Sequence, residues 1–236
     1  MPDPKKTVSA FKKSGGIFLT PTADLEKKVK KIKAYIFDWD GVFNDSSKTG
    51  SGESYFTEVD SMGLNMLRFS NWLLNKEKMP LTAVISGEET NAAKVFVKRE
   101  HFTAAYFKAK DKKTALTHFC EKHNLKPAEI AFVFDDILDL SIAERVGVRI
   151  LVKRNANPLF TEYVKKNKLA DYITGTECGN FCLREAAELL IGLSGNFDKV
   201  IKERTTFSKK YTSYIHERNS LSSEFFLLKE NKITTL

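Results

Sequence analysis

Long apolar runs are missing from this sequence. No stretch approaches the roughly 18 consecutive apolar residues of a membrane span, and the opening MPDPKKTVSAFKKSGG lacks the apolar core of a secretory signal. A cytoplasmic location is the expectation. Cysteine is also scarce, at three residues in 236. Cys178 and Cys182 stand at C-x-x-x-C spacing with no second ligand pair nearby, so small buried thiols are expected rather than zinc ligands. The four histidines, His101, His118, His123 and His216, all lie outside the acidic motifs and are assigned to surface or helix packing. Helix-turn-helix, finger and ribonucleoprotein signatures are absent as well. The formal charge of +8, from 38 Lys and Arg against 30 Asp and Glu, therefore reads as solvated lysine faces that favour a small anionic ligand, and no nucleic-acid partner is expected.

What is present is ordinary globular usage, 42% hydrophobic and 29% charged residues, in a length that suits one large domain or a domain with an appendage. From residue 34 onward, short apolar runs alternate with amphipathic stretches of helical length. That is the pattern of a parallel sheet with crossover helices, so the class is α/β. Strands are predicted at 34–39, 81–86, 103–107, 130–135, 148–152 and 171–174, and helices at 61–75, 88–100, 111–123 and 138–147. Turn residues followed by an alternating run over 45–60 predict a β-hairpin flap after the first strand. The α/β domain is expected to span 34–194, preceded by an N-terminal extension, 1–33. A lysine-rich helical tail, 195–236, follows, with an apolar cluster at 225–228; a helix packed across a subunit interface is expected, a frayed terminus being the alternative.

The chemistry concentrates where apolar strands end. FDWDGVF puts Asp38 and Asp40 at the end of the first strand with Gly41 behind them, and in open α/β sheets ligands gather beyond the carboxyl ends of strands. Two carboxylates spaced i and i+2 repel one another and call for a cation. FVFDDILD supplies Asp135, Asp136 and Asp139 at a second strand end, and such an all-oxygen set suits magnesium better than zinc. AVISGEE places Ser86 and the Gly87 amide where a helix begins, a favourable seat for phosphate; the same Ser86 can equally be a helix cap with Glu89 completing a capping box. FKAKDKK offers a lysine to neutralise a carboxylate and a phosphate together.

The order Asp-x-Asp-Gly, Ser-Gly, Lys, Asp-Asp resembles the four motifs of the haloacid dehalogenase superfamily. More closely, residues 33–194 resemble its small-capped 3-deoxy-D-manno-octulosonate 8-phosphate phosphatase group, which includes phosphatases of nonulosonate 9-phosphates. The resemblance implies a Rossmann-like parallel sheet and a magnesium-dependent phosphatase. It implies Asp38 as nucleophile, Asp40 as general acid and base, Ser86 with Gly87 as phosphate binders, and Lys112 as the motif lysine. Magnesium would rest on Asp38, Asp135 and the backbone carbonyl of Asp40. Such minimal caps also imply a homotetramer in which a neighbouring subunit closes the site. Arg184, a fork donor suited to a carboxylate, is the candidate supplied from 177–184, its alternative being a salt bridge within its own helix. The chain departs from the group at Phe134, where glycine is usual, at Glu88 in place of arginine, and at Phe181 in place of glycine. These departures leave open a nonulosonate 9-phosphate or a nucleotide as substrate, or a weakly active binding or scaffold protein.

Overall fold

The computed structural model describes residues 4–230 and 232–236. Among them, the alternation seen in the sequence becomes a nine-stranded sheet of order β1-β7-β6-β5-β2-β3-β4-β8-β9. The strands are β1 (Ile17–Phe18), β2 (Ala34–Phe37), β3 (Leu81–Ile85), β4 (Ala104–Phe107), β5 (Ile130–Phe134), β6 (Val148–Lys153), β7 (Tyr172–Glu177), β8 (Glu224–Lys229) and β9 (Lys232–Thr235). The pairs from β7 through to β8 are parallel, while β1 and β9 join the two edges antiparallel. β2 lies between β3 and β5. Chain order reverses there, so its carboxyl end opens into the crevice where such sheets bind ligands.

Helices cover both faces: α1 (Pro4–Lys13), α2 (Thr22–Val29), α3 (Glu58–Leu74), α4 (Asn91–Arg99), α5 (Lys112–His123), α6 (Leu140–Ala143), α7 (Pro158–Lys166), α8 (Cys182–Ser194), α9 (Phe197–Thr205) and α10 (Lys209–Ser220). Strand alternation splits the core in two. Tyr35 and Phe37 of β2 face a layer built with α3 and α8, whereas Ala34 and Ile36 face one built with α5 and α6. Every residue of β2 is buried, as a strand covered on both faces requires. α3 and α8 pack closely, and Gly63 makes that possible, since a Cβ there would meet the Arg184 Cδ at 2.9 Å.

Four expectations are corrected. The segment 45–57 is an irregular loop, not a hairpin. It is pinched by Thr49 and Gly52 amides bonding the Glu53 and Thr49 carbonyls. Its apparent alternation is consumed by other work: Thr57 caps α3 by accepting the Asp60 amide, Phe56 packs edge-on to Trp39 and Phe96, and Ser54 accepts from the Trp39 indole. Ser86 is likewise no helix cap, because α4 begins later and Thr90 caps it. In the tail, α9 and α10 are helical as expected, but the apolar cluster at 225–228 is strand β8. β4 offers it an open parallel edge, and Phe226 and Leu228 alternate into the core, with the Phe226 ring stacked 4.9 Å from Tyr106. The helix expected at 138–147 shrinks to α6, led in by a 3-10 turn in which the Asp139 carboxylate accepts the Asp136 amide.

Candidate active site

The β2 ladder continues one residue past the strand, the Asp38 amide bonding the Val133 carbonyl, so Asp38 emerges beside Asp135 at the end of β5. Ser86 follows β3, and Lys112 opens α5, whose start is fixed by Asp111 accepting the Lys113 amide. Asp38, Asp40, Ser86, Gly87, Lys112 and Asp135 all line one cavity of about 480 Å³, joined by Asp136, Asp139, Ser46, Glu88, Lys110 and Arg154.

Lys112 is the hub. It is 2% exposed, and its Nζ lies 2.6 Å from both Asp38 Oδ1 and Asp139 Oδ1. Burial alone would lower its pKa, but the charges of Asp38 and Asp139 outweigh burial and raise it, so the ammonium is permanent. One oxygen each from Asp38, Asp135 and Asp139 lie within 4.8 Å of one another, all buried. Burial first, and then the Asp38 charge, hold Asp135 and Asp139 well above the usual carboxylate range. Such crowding of like charge is the signature of a site that accepts added positive charge.

Two further cations reach in. Arg154, just beyond β6, donates from Nη2 to the Asp135 carboxylate and, at 3.0 Å, to Ser46 Oγ. Lys48 of the irregular loop pairs with Asp40 Oδ2 at 2.7 Å, and the other Asp40 oxygen is buried without a partner. Gly41 explains how these groups converge: its φ is +82°, and a Cβ there would stand 2.0 Å from Asp135 Oδ2. The donors therefore fit a hard divalent cation, with oxygen ligands only, concentrated negative charge and a backbone cradle that a side chain would fill. Asp38 and Asp135 are the natural holders. Asp139, with one oxygen on Lys112 and the other on the Asp136 amide, serves mainly as the lysine's counter-ion.

Arg184 stands apart. It pairs with Glu188 in its own helix at 2.7 Å, both about one-third exposed, and it does not line the cavity of this chain. Phe134 turns from the cavity into the core, its ring 5.5 Å from Phe132, so the bulk there leaves the acidic loop clear. Phe181 sits exposed in a left-handed conformation before α8. Sequence reasoning missed Arg154 and Lys48. Arg154 had a usable signal, since it too follows an apolar parallel strand; Lys48 had none, because its approach depends on how the loop folds.

No protein-family model matches the chain. The 3-deoxy-D-manno-octulosonate 8-phosphate phosphatase of Escherichia coli is 26% identical over 182 residues, spanning 75% of this chain and 89% of that protein. A probable YrbI family phosphatase from Pseudomonas syringae is 27% identical with a TM-score of 0.66, covering 78% of this chain and 98% of that one. The 3-deoxy-D-manno-octulosonate 8-phosphate phosphatase of Moraxella catarrhalis, solved with magnesium, phosphate and KDO, is 26% identical with a TM-score of 0.64, over the same shares. Sheet order, strand-end carboxylates and these likenesses together define a phosphatase of the haloacid dehalogenase superfamily. Within that class, the chain is similar to the octulosonate 8-phosphate phosphatases.

Proposed function

We propose that this protein hydrolyses a phosphate monoester, in the presence of magnesium, through an aspartyl-phosphate on Asp38. The substrate is a phosphorylated sugar acid of the 3-deoxy-D-manno-octulosonate 8-phosphate type. The observation that carries the reading is the buried Asp38–Lys112–Asp139 triad that lines the cavity beside Asp135. Lys112 holds Asp38 Oδ1, which leaves Oδ2 to attack phosphorus in line with the leaving oxygen. The ester P–O bond breaks as the new O–P bond forms, and Asp40 gives its proton to the departing alkoxide. Asp40 then takes a proton from water, which attacks the phosphorus of the acyl phosphate and frees Asp38 and inorganic phosphate. Ser86 accepts the Glu88 amide at 3.2 Å, so its hydroxyl proton remains available to a phosphate oxygen. Magnesium, when bound at Asp38 and Asp135 with the Asp40 carbonyl, would supply charge neutralisation for the nucleophile and the phosphoryl oxygens.

The homotetramer and the cytoplasmic setting belong to the same reading; no helix among the described residues is long and apolar enough to cross a membrane. Arg184 would then serve a neighbouring subunit's site. Its exposed pair with Glu188 is worth at most about 1 kcal/mol and is readily given up. Glu88, exposed on the cavity rim without a side-chain partner among the described residues, favours a second substrate reading. An acid there suits an ester that presents hydroxyl donors in place of a carboxylate, such as a nucleotide. Phosphate release from a panel of sugar-acid phosphates and nucleotides separates the two. Asp38→Asn should abolish release on every member while the fold persists, and chelation should stop turnover until magnesium returns. Retention of more than a few per cent of activity by Asp38→Asn removes Asp38 from the nucleophile's role.

A further inference from the structure

Arg154 stands in an unusual relation to the acidic cluster. Its Nη2 contacts Asp135 on Oδ2, the oxygen that Gly41 leaves room to approach. A Cβ on Gly41 would lie 2.0 Å from that oxygen and 2.5 Å from the arginine Nη2, so the carboxylate and the guanidinium share one small space. The rest of the side chain is loosely held. Ser46 Oγ, on the irregular loop, is its other hydrogen-bond partner, the Nε is buried with none, and the side chain keeps 24% exposure against 3% for Asp135. The β6–β7 pairing that delivers it is irregular between Leu151 and Lys153. An orphaned buried donor costs free energy, which weakens the hold of this pose on the guanidinium.

We propose that Arg154 is a tethered counter-cation that competes with the divalent ion for Asp135 and, once displaced, turns its fork to the anionic phosphate group of the ligand in the same cavity. The proposal rests on the phosphatase reading above. Magnesium needs near-ideal octahedral oxygen geometry, and a guanidinium on Oδ2 blocks one approach and adds like charge beside the ion. The displaced side chain already lines the cavity with Ser86, Lys110 and Lys112, and a planar fork matches phosphate oxygens. Metal and phosphate would then bind as a coupled pair, each easing the entry of the other. Without either, the buried carboxylate keeps a partner.

The test is calorimetric and needs no turnover. Chelator-treated protein is titrated with magnesium alone, and the magnesium-saturated protein is then titrated with inorganic phosphate. Arg154→Ala and the bulkier Arg154→Met should bind magnesium at least about tenfold more tightly than the parent, about 1.4 kcal/mol, and phosphate at least about fivefold more weakly. Arg154→Lys, which keeps a tethered charge, should stay within about threefold of the parent for magnesium. A general loss of structure would weaken both ligands together. Equal or weaker magnesium binding by Arg154→Ala and Arg154→Met overturns the competition, and unchanged phosphate binding overturns the hand-over. If neither parent nor variants bind magnesium, the metal-dependent reading itself fails, an outcome distinct from either of these.

Discussion

Replacing Lys112 by methionine keeps the length of the side chain and removes its charge. The ammonium sits 2.6 Å from Asp38 and Asp139 in a place only 2% exposed, so the variant leaves two buried carboxylates facing each other beside Asp135. Breaking a buried pair from one side costs about 3–5 kcal/mol. At roughly 2–4 °C per kcal/mol for a chain of this size, Tm should fall by about 6–20 °C when read by calorimetry near pH 8 without divalent ions. The loss should depend on pH in a stated direction. Asp135 and Asp139 already have folded pKa values raised above the ordinary value of about 4, and removing Lys112 raises Asp139 further. Between the unfolded and folded values the native state binds more protons, so stability falls as pH rises through that window. The deficit of the variant is therefore larger near pH 8 than near pH 5.5, where the carboxylates protonate. Adding Asp139→Asn should return much of the stability and none of the activity. Turnover of Lys112→Met should fall by about 10²–10³, the loss expected when a preorganised charge is withdrawn from a developing anion. A variant that melts with the parent near pH 8 would refute the reasoning, because it would mean that the lysine does not hold the carboxylates together.

Asp171 fastens the N-terminal segment. Its side chain is wholly buried and accepts from Thr20, Lys28 and Arg149 at 2.6–3.0 Å, so Asp171→Asn should cost about 3–5 kcal/mol in thermal or urea unfolding, and a loss below about 1 kcal/mol would discount the anchor. Burial alone would raise its pKa, but hydrogen bonds from Arg149, Lys28 and Thr20 outweigh burial and lower it. This stabilisation is thus fully present above about pH 4 and is lost as pH falls through the lower folded value. Arg184→Ala should raise KM for a carboxylated sugar phosphate and barely alter an aryl phosphate. An active monomer by light scattering would end the neighbouring-subunit role.

The parts of the fold legible in the sequence were those in which local pattern and tertiary environment agree. The central strands are largely apolar on both faces because helices cover both, and Asp38, Ser86 and Asp135, candidates for phosphate or metal chemistry, follow such strands directly. Elsewhere the pattern had two solutions. The run at 225–228 fits a strand or an apolar helix face equally, and only the open edge of β4, far away in sequence, decides for the strand. The loop at 45–57 carries hairpin chemistry, yet its aromatic and hydroxyl groups gain more from Trp39, Phe96 and the start of α3. The role of Lys48 follows from loop geometry, which composition and spacing do not encode, whereas Arg154, directly after β6, was open to the same strand-end reasoning as Asp38.

The pairing of β8 with β4 has a consequence for synthesis. Ala104 and Glu224 are register partners about 120 residues apart, so β4 is made long before the strand that covers its outer edge. A nascent chain stopped short of residue 224 can already bring Asp38, Ser86, Lys112 and Asp135 together, because none of them lies beyond β5 and the short segment after it. It would nonetheless carry an uncovered row of backbone donors and acceptors on AAYF, a template for a second nascent chain. On the ribosome, the site residues of this protein are translated before the strand that protects it against self-association, and the interval between the two is set by the time needed to translate β6, β7 and the helices α6 to α10.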